Sequence, residues 1–103
     1  MERTLLYDFY GELLTERQRE VYEGVIQDDY SLSEMAEDLG VSRQSIHDMV
    51  KRCDKALQGY EDRLHLVERF VRMKEQVHEI QRIAAEQDLP EISAICEEIL
   101  GEL

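Results

Sequence analysis

The amino-acid sequence predicts an all-α protein built around a helix-turn-helix. Hydrophobic residues make up 43% of the 103-residue chain and charged residues 35%, with one proline, five glycines and no tryptophan. This composition is typical of a strongly helical protein rather than of a disordered or sheet-rich one. Apolar residues recur at three- and four-residue spacing along most of the chain, and capping signals mark several predicted helix starts. The length fits one small domain with an appended helical element.

Two short helices are predicted before the motif. Residues 4–14 form an amphipathic helix in this prediction. Its apolar side carries Leu5, Leu6, Phe9, Leu13 and Leu14. A second helix begins after Thr15, because Thr15 and Gln18 have the spacing of a capping box. The turn-favouring pair Asp28 and Asp29 ends its apolar stripe.

The helix-turn-helix is predicted from signals that lie within a few residues of each other. Ser31 and Glu34 form a second capping box, so a third helix covers residues 32–39. Gly40 follows at the position where a left-handed backbone ends a helix, and Ser42 offers the N-cap of the next helix. The packing positions of the motif carry Met35, Ala36, Leu39, Val41, Ile46 and Met49. Small and apolar residues at these offsets allow two helices to cross at a steep angle.

Three further helices are predicted after the turn. The fourth covers residues 43–58 and is expected to stop at Gly59. The fifth is longer and covers residues 61–87, where two apolar stripes coexist. Pro90 then begins a short last helix. The chain is accordingly divided into a helix-turn-helix domain at 1–59 and a helical tail at 60–103.

The tail is predicted to be a dimerisation element. Its two apolar stripes exceed what one face of a small bundle needs, which favours a homodimer. The residues assigned to self-association are Leu64, Leu66, Val67, Phe70, Val71, Met73, Val77 and Ile80. The alternative is that the same stripes fold back over the helix-turn-helix core.

The start of the fourth helix is the candidate nucleic-acid-binding surface, because the second helix of such a motif enters the major groove. The candidate residues are Ser42, Arg43, Gln44, Ser45, His47, Asp48, Lys51, Arg52 and Lys55. Arg43 can pair with guanine and Gln44 with adenine, while the Ser42 and Ser45 amides suit a phosphate oxygen. The alternative is an ordinary solvated helix face, because Asp48 and Asp54 interleave with the basic residues.

The charge of the chain bears on this hypothesis. The formal net charge is −12, and neither half of the sequence is basic. A monomer is therefore expected to bind nucleic acid weakly and with strong dependence on salt. A dimer would double the phosphate contacts and impose a half-site spacing.

Several function classes are disfavoured by the sequence. The two cysteines stand far apart and the three histidines are scattered, so neither a disulfide framework, a metal site nor a nucleophile pattern is indicated. There is no glycine-rich phosphate loop. We therefore expect no enzymatic activity and no cofactor. Neither a signal peptide nor a membrane span is indicated, so the expected location is the cytoplasm, without membrane contact.

The residues of the motif also carry a family resemblance. Residues 14–57 read "LTERQREVYEGVIQDDYSLSEMAEDLGVSRQSIHDMVKRCDKAL", which resembles the fourth-region helix-turn-helix of bacterial primary sigma factors. Arg43 and Gln44 fit the side chains with which sigma factors read promoter bases, whereas His47 and Asp48 depart from them. Residues 4–70, including "LQGYEDRLHLV", are more similar still to the YlxM family of small bacterial proteins.

The resemblance implies a sigma-like helix-turn-helix followed by a helical tail. Genes of that family commonly neighbour the gene of the signal recognition particle GTPase, which implies a role in that targeting pathway. Two hypotheses follow. The first is a regulator that binds DNA or structured RNA and acts in the signal recognition particle pathway. The second is an accessory factor that binds the signal recognition particle GTPase through its acidic surface and apolar tail.

Overall fold

A computed structural model describes residues 2–103, and all regular secondary structure in that range is helical. The α-helices are α1 (Arg3–Tyr10), α2 (Glu16–Tyr22), α3 (Leu32–Leu39), α4 (Arg43–Leu64), α5 (Leu66–Glu86) and α6 (Pro90–Glu102). A 3₁₀ turn at Gly11–Leu13 follows α1, and a π-helical segment at Glu23–Gln27 follows α2. The predicted all-α fold is confirmed. The chain forms two compact units, which divide between His65 and Leu66.

The predicted helix starts around the motif are confirmed. The Gln18 amide donates to Thr15 Oγ1 at 3.2 Å, and the Thr15 amide donates to the Gln18 side chain at 2.9 Å. Ser31 and Glu34 form the same reciprocal pair at 3.0 and 3.4 Å. Each box satisfies two backbone N–H groups that a helix start otherwise leaves without a partner.

The turn between α3 and α4 adopts the predicted conformation. Gly40 has φ 66° and ψ 35°, a left-handed geometry in which a side chain would be strained. The Val41 amide donates to the Ala36 carbonyl at 3.0 Å, which closes the end of α3. Ser42 then caps α4 by accepting from the Ser45 amide. Residues 40–42 therefore join the two helices of the motif.

The first two helices differ from the prediction. Helix α1 ends at Tyr10 rather than at residue 14, and the apolar stripe of α2 continues as the π-helical segment. Gly24 lies in that segment, where an added Cβ would meet Met35 Cε at 1.9 Å. A side chain at this position would therefore have to displace the Met35 methyl group, which packs α3 against the end of α2.

The predicted stop of α4 at Gly59 is wrong, and so is the predicted start of the next helix at residue 61. Helix α4 continues to Leu64 and ends at His65, whose φ of 55° is left-handed. A glycine inside a helix costs about 1 kcal/mol. Leu57 and Glu61 are buried on either side of Gly59, and Tyr10 Oη donates to Glu61 Oε1 at 2.6 Å. These contacts offset the cost and carry the helix past the glycine.

The first unit has its core between α1, α2, α3 and the first five turns of α4. The predicted inward residues Ile46, Val50, Cys53 and Leu57 are buried, and Met49 is half-buried. On α1 the sequence prediction was partly wrong, because Phe9 and Leu13 are exposed while Tyr7 and Tyr10 are buried. The tyrosine rings pack in the core while their hydroxyls donate to Glu23 and to the buried Glu61, a combination that apolar spacing does not reveal.

Helix α1 runs along α4 in a constant register. Arg3 contacts Asp54, and Tyr10 contacts Glu61, so both pairs are separated by 51 residues. The two contacts are two helical turns apart on each helix, so α1 and α4 run parallel to each other.

The second unit is a hairpin in which α5 packs against α6. Val77, Ala84 and Cys96 are buried within the chain. Of the residues assigned to self-association, Val67 and Val77 are buried and Phe70 is half-buried, while Leu64, Leu66, Val71, Met73 and Ile80 are exposed. Leu64 lies on α4 rather than on the tail helix. Among residues 2–103 we find no helix with the length and hydropathy that spanning a membrane requires.

Candidate nucleic-acid interface

The structure brings all of the predicted nucleic-acid-binding residues together on one helix. Residues 43–55 with this assignment occupy the first three to four turns of α4, and Ser42 is its N-cap. Every one of them is exposed. The opposite side of the same turns carries the buried Ile46, Val50 and Cys53. The core packing therefore decides which side of α4 faces outward.

The exposed side chains form two adjacent rows, because residues four apart lie on the same side of a helix. Arg43, His47, Lys51 and Lys55 form the first, which we call the basic row. Its twelve-residue length corresponds to about 18 Å of helix. Gln44, Asp48 and Arg52 form the second row, which we call the mixed row. A row of this length can follow several phosphates along one nucleic-acid strand.

The mixed row is held by internal contacts. Gln44 Nε2 donates to Asp48 Oδ1 at 2.9 Å, and His47 Nδ1 lies 3.7 Å from the same oxygen. Reading of adenine by Gln44 therefore requires the Gln44 amide to share its donors between Asp48 and the base. Asp48 also places a negative charge beside the basic row, where it opposes binding of phosphates.

The helix start is organised by its cap. The Ser45 amide donates to Ser42 Oγ at 3.0 Å, and the two serine hydroxyls are hydrogen-bonded at 2.9 Å. The Ser45 amide, which the sequence assigns to a phosphate oxygen, thus already donates within the protein. The positive end of the α4 dipole still favours an anion at this place.

Sequence reasoning missed two residues that bond to Asp54 beside this surface, the exposed Arg3 and the buried Tyr22. Arg3 Nε donates to Asp54 Oδ1 at 2.9 Å, and a second guanidinium nitrogen pairs with Asp54 Oδ2. Tyr22 Oη donates to Asp54 Oδ1 at 2.5 Å. No local pattern links these residues, because Arg3 and Asp54 are 51 positions apart. The only signal was a basic residue in an otherwise acidic N-terminal segment.

The contacts with Arg3 and Tyr22 change the pKa of Asp54. Burial acts to raise the pKa of Asp54, but the hydrogen bonds from Arg3 and Tyr22 and the charge of Arg3 outweigh burial and lower it. Burial and the bond to Asp54 raise the pKa of Tyr22. The Asp54 carboxylate is therefore ionised and is matched by a cation. Of the two acids that interleave with the bases, Asp48 has no such guanidinium contact among those seen in residues 2–103.

Both cysteines are free thiols buried in the units to which they belong. Burial, together with the neighbouring Asp54 charge, raises the pKa of Cys53. A thiol in this state packs as a small apolar side chain and is a poor nucleophile. Cys53 thus packs in the core on the side of α4 opposite the basic row and the mixed row.

Two helices joined by a three-residue turn, with a capped second helix that exposes basic and amide side chains, define a helix-turn-helix protein. Comparison with known families agrees. The profile of UPF0122, described as "Putative helix-turn-helix protein, YlxM / p13 like", matches residues 1–95, and the chain belongs to this family. The predicted resemblance to the YlxM family is confirmed.

Individual relatives support the assignment. The chain is 42% identical to a UPF0122 protein of Thermoanaerobacter sp. strain X514, over 97% of this chain and 89% of the relative. It is 45% identical to one of Symbiobacterium thermophilum, over 82% and 79%. It is 40% identical to one of Lactococcus lactis subsp. cremoris strain MG1363, over 75% and 69%. The family description names a structural motif and no catalysed reaction.

Proposed function

We propose that this protein is a small, non-enzymatic regulator of the cytoplasm that binds DNA or structured RNA through the first turns of α4. The observation that carries the proposal is the exposed surface formed by the basic row and the mixed row on the second helix of the motif. This helix is the one that enters the major groove in helix-turn-helix proteins.

The side chains divide by the part of the nucleic acid they suit. Arg43 and Gln44 lie at the start of α4, where side chains reach base edges, and both have the donors that read purines. Lys51, Arg52 and Lys55 lie further along and suit phosphates. Binding should therefore have a sequence-selective part at the helix start and a general part along the helix.

The charge balance sets the strength of binding. The chain carries a formal charge of −12, and Asp48 lies within the surface itself. Repulsion of phosphates by these acids opposes the few favourable contacts. We expect weak binding by one copy and stronger binding by a homodimer. The exposed apolar residues Leu66, Met73 and Ile80 on α5 are the candidate dimer contacts.

The test compares three substitutions on the same helix. Arg43→Ala should lower the affinity for a preferred sequence, and Lys51→Ala should lower it for every sequence. Arg63→Ala is the matched control, because Arg63 is an exposed residue of α4 that lies about 18 Å beyond Lys51 along the helix. Affinities are measured with labelled DNA duplexes and RNA hairpins at low salt. Loss of binding in all three variants alike, or no binding by the unchanged protein, would refute the proposal.

A second function is favoured by the surface of the other unit. Ile92, Ile95 and Ile99 on α6 are 39 to 55% exposed on an acidic chain. An apolar patch with an acidic surround suits a basic protein partner. We propose, as the alternative, that the chain is an accessory factor of the signal recognition particle GTPase.

Calorimetry with the purified particle tests this alternative. Binding should survive Arg43→Ala, weaken as salt is added, and fall with Ile95→Lys. No measurable heat at low salt, or equal binding by the Ile95→Lys variant, would count against it.

A further inference from the structure

An open groove between α1 and α4 lies beside the basic row. Its lining includes Arg3 from α1 and Lys51, Asp54, Lys55 and Gln58 from α4. Lys51 and Lys55 are members of the basic row, so the groove continues the surface that was assigned to nucleic acid. Its remaining walls come from a helix that sequence reasoning did not connect with binding.

The charged residues that line this groove differ in whether they are paired with an opposite charge. Asp54 is the one carboxylate among the lining residues, and both of its oxygens are occupied by Arg3, with a further bond from Tyr22. The side chains of Arg3 and Asp54 are 49% and 34% exposed, so the pair lies at the surface rather than below it. With Asp54 matched by Arg3, the two lysines are left as the excess charge of the groove.

Arg3 is held in position by the fold. The bond between Tyr10 and Glu61 anchors the other end of α1 on α4 in the same register. Tyr22, which contacts Asp54, is itself fully buried and stacks on Tyr7 of α1 at 5.5 Å between ring centres. These contacts fix α1 on α4 and hold the Asp54 carboxylate where the guanidinium of Arg3 meets it.

We propose that this groove binds a backbone phosphate of the nucleic acid through Lys51 and Lys55, and that Arg3 is the positioning residue that permits it by neutralising Asp54. The inference rests on the proposed function, since the phosphate belongs to the strand that α4 contacts. It extends the interface from one helix to two, and it gives α1 a part in binding.

A double-mutant cycle tests the role of Arg3. The probe is a fluorescein-labelled DNA duplex at low salt, with binding followed by anisotropy. Arg3→Met leaves Asp54 without its cation, and should weaken binding about threefold, whereas Asp54→Asn should strengthen it by a similar factor. In the Asp54→Asn background, Arg3→Met should lower the affinity only to that of the unchanged protein, because the uncharged pair carries the same net charge as Arg3 with Asp54. Arg3→Lys keeps the charge and should retain most of the affinity.

A structural role alone predicts a different pattern. If Arg3 only ties α1 to α4, Arg3→Met lowers the melting temperature but leaves the affinity of the folded protein unchanged, which overturns the inference. A double variant, Arg3→Met with Asp54→Asn, that binds well below the unchanged protein would show that Arg3 bonds the phosphate itself, which overturns its positioning role. All affinities are taken well below the melting transition of each variant.

Lys55→Ala tests the groove without disturbing the Arg3–Asp54 pair. It should weaken binding and reduce the slope of log affinity against log salt by about 0.9, the value for one phosphate contact. An unchanged slope would overturn the phosphate site. If Arg43→Ala weakens binding while Lys55→Ala and Arg3→Met do not, only the groove is wrong. If none of these variants weakens binding, the proposed function itself fails.

Discussion

Asp48 is the residue through which the charge of this surface can be tested most directly. We predict that Asp48→Asn raises the affinity for nucleic acid. The asparagine keeps an oxygen that can accept from Gln44 Nε2, as Asp48 Oδ1 does at 2.9 Å, so the mixed row retains its shape. The substitution thus removes one negative charge while preserving the contact.

The expected magnitude follows from the position of Asp48 beside the basic row. A phosphate held by a neighbouring row lies about 8 Å away, where two unit charges in water repel by about 0.5 kcal/mol. Two such phosphates give about 1 kcal/mol, and salt near 0.1 M reduces this by about half. We therefore expect affinity to rise about two- to fivefold, with the larger gain at low salt.

The chain offers a closely matched control for this experiment. Gln58 Nε2 donates to Asp62 Oδ1 at 2.9 Å, which repeats the Gln44–Asp48 pair further along α4. Asp62 lies about 21 Å from Asp48 along the helix. This separation is about two Debye lengths at 0.1 M salt. Asp62→Asn makes the same change in net charge, but should leave the affinity nearly unchanged.

The comparison is made by anisotropy titrations of labelled DNA and RNA with both variants, at several salt concentrations. Equal gains from both variants would mean that the net charge of the chain controls binding, and the assignment of the interface to the start of α4 would be wrong. No gain from Asp48→Asn at low salt would mean that Asp48 does not lie near the bound strand.

Four further predictions concern the fold that presents this surface and its self-association. Ser42→Ala removes the N-cap of α4 and should lower the free energy of unfolding by about 1 kcal/mol, measured by urea denaturation. Leu57→Ala leaves a cavity at a fully buried position and should cost about 2–5 kcal/mol in the same assay. Because folding lowers the pKa of Asp54, ionised Asp54 stabilises the fold above the ordinary carboxyl range near pH 4, and this stability is lost as the pH falls through the folded-state pKa. The free energy of unfolding of Asp54→Asn should therefore fall less steeply with decreasing pH. Ile80→Glu places a charge on the exposed apolar side of α5 and should leave a monomer in sedimentation equilibrium, if α5 forms the dimer contact; an unchanged mass would refute that contact.

The motif itself was predictable because its determinants are local. Ser31, Gly40 and Ser42 act on backbone groups within four residues of themselves, and the structure places α3, the turn and the start of α4 where these signals put them. The nine candidate residues could likewise be placed on one side of a helix by spacing alone, since the buried side was marked by Ile46 and Val50.

Two of the errors have a common physical origin in contacts between α1 and α4. Gly59 is a reasonable helix stop by propensity, and only the burial of Glu61 beneath Tyr10 explains why the helix continues. The neutralisation of Asp54 by Arg3 was hidden for the same reason. Each of these depends on two residues 51 positions apart, which become neighbours only once the helices have packed.

This distinction changes how the acidity of the chain is interpreted. Net charge counts Asp48 and Asp54 equally, although Asp54 is paired with a bidentate guanidinium and Asp48 contacts, among residues 2–103, an amide and an imidazole. Because exposed charges beyond about 10 Å are largely screened at 0.1 M salt, the acids elsewhere on the chain weaken long-range attraction more than the contact itself. The balance at the surface is therefore decided by a few neighbouring groups. We therefore expect Asp48, the acid of the two rows, to limit the affinity of this surface for nucleic acid more than Asp54 does.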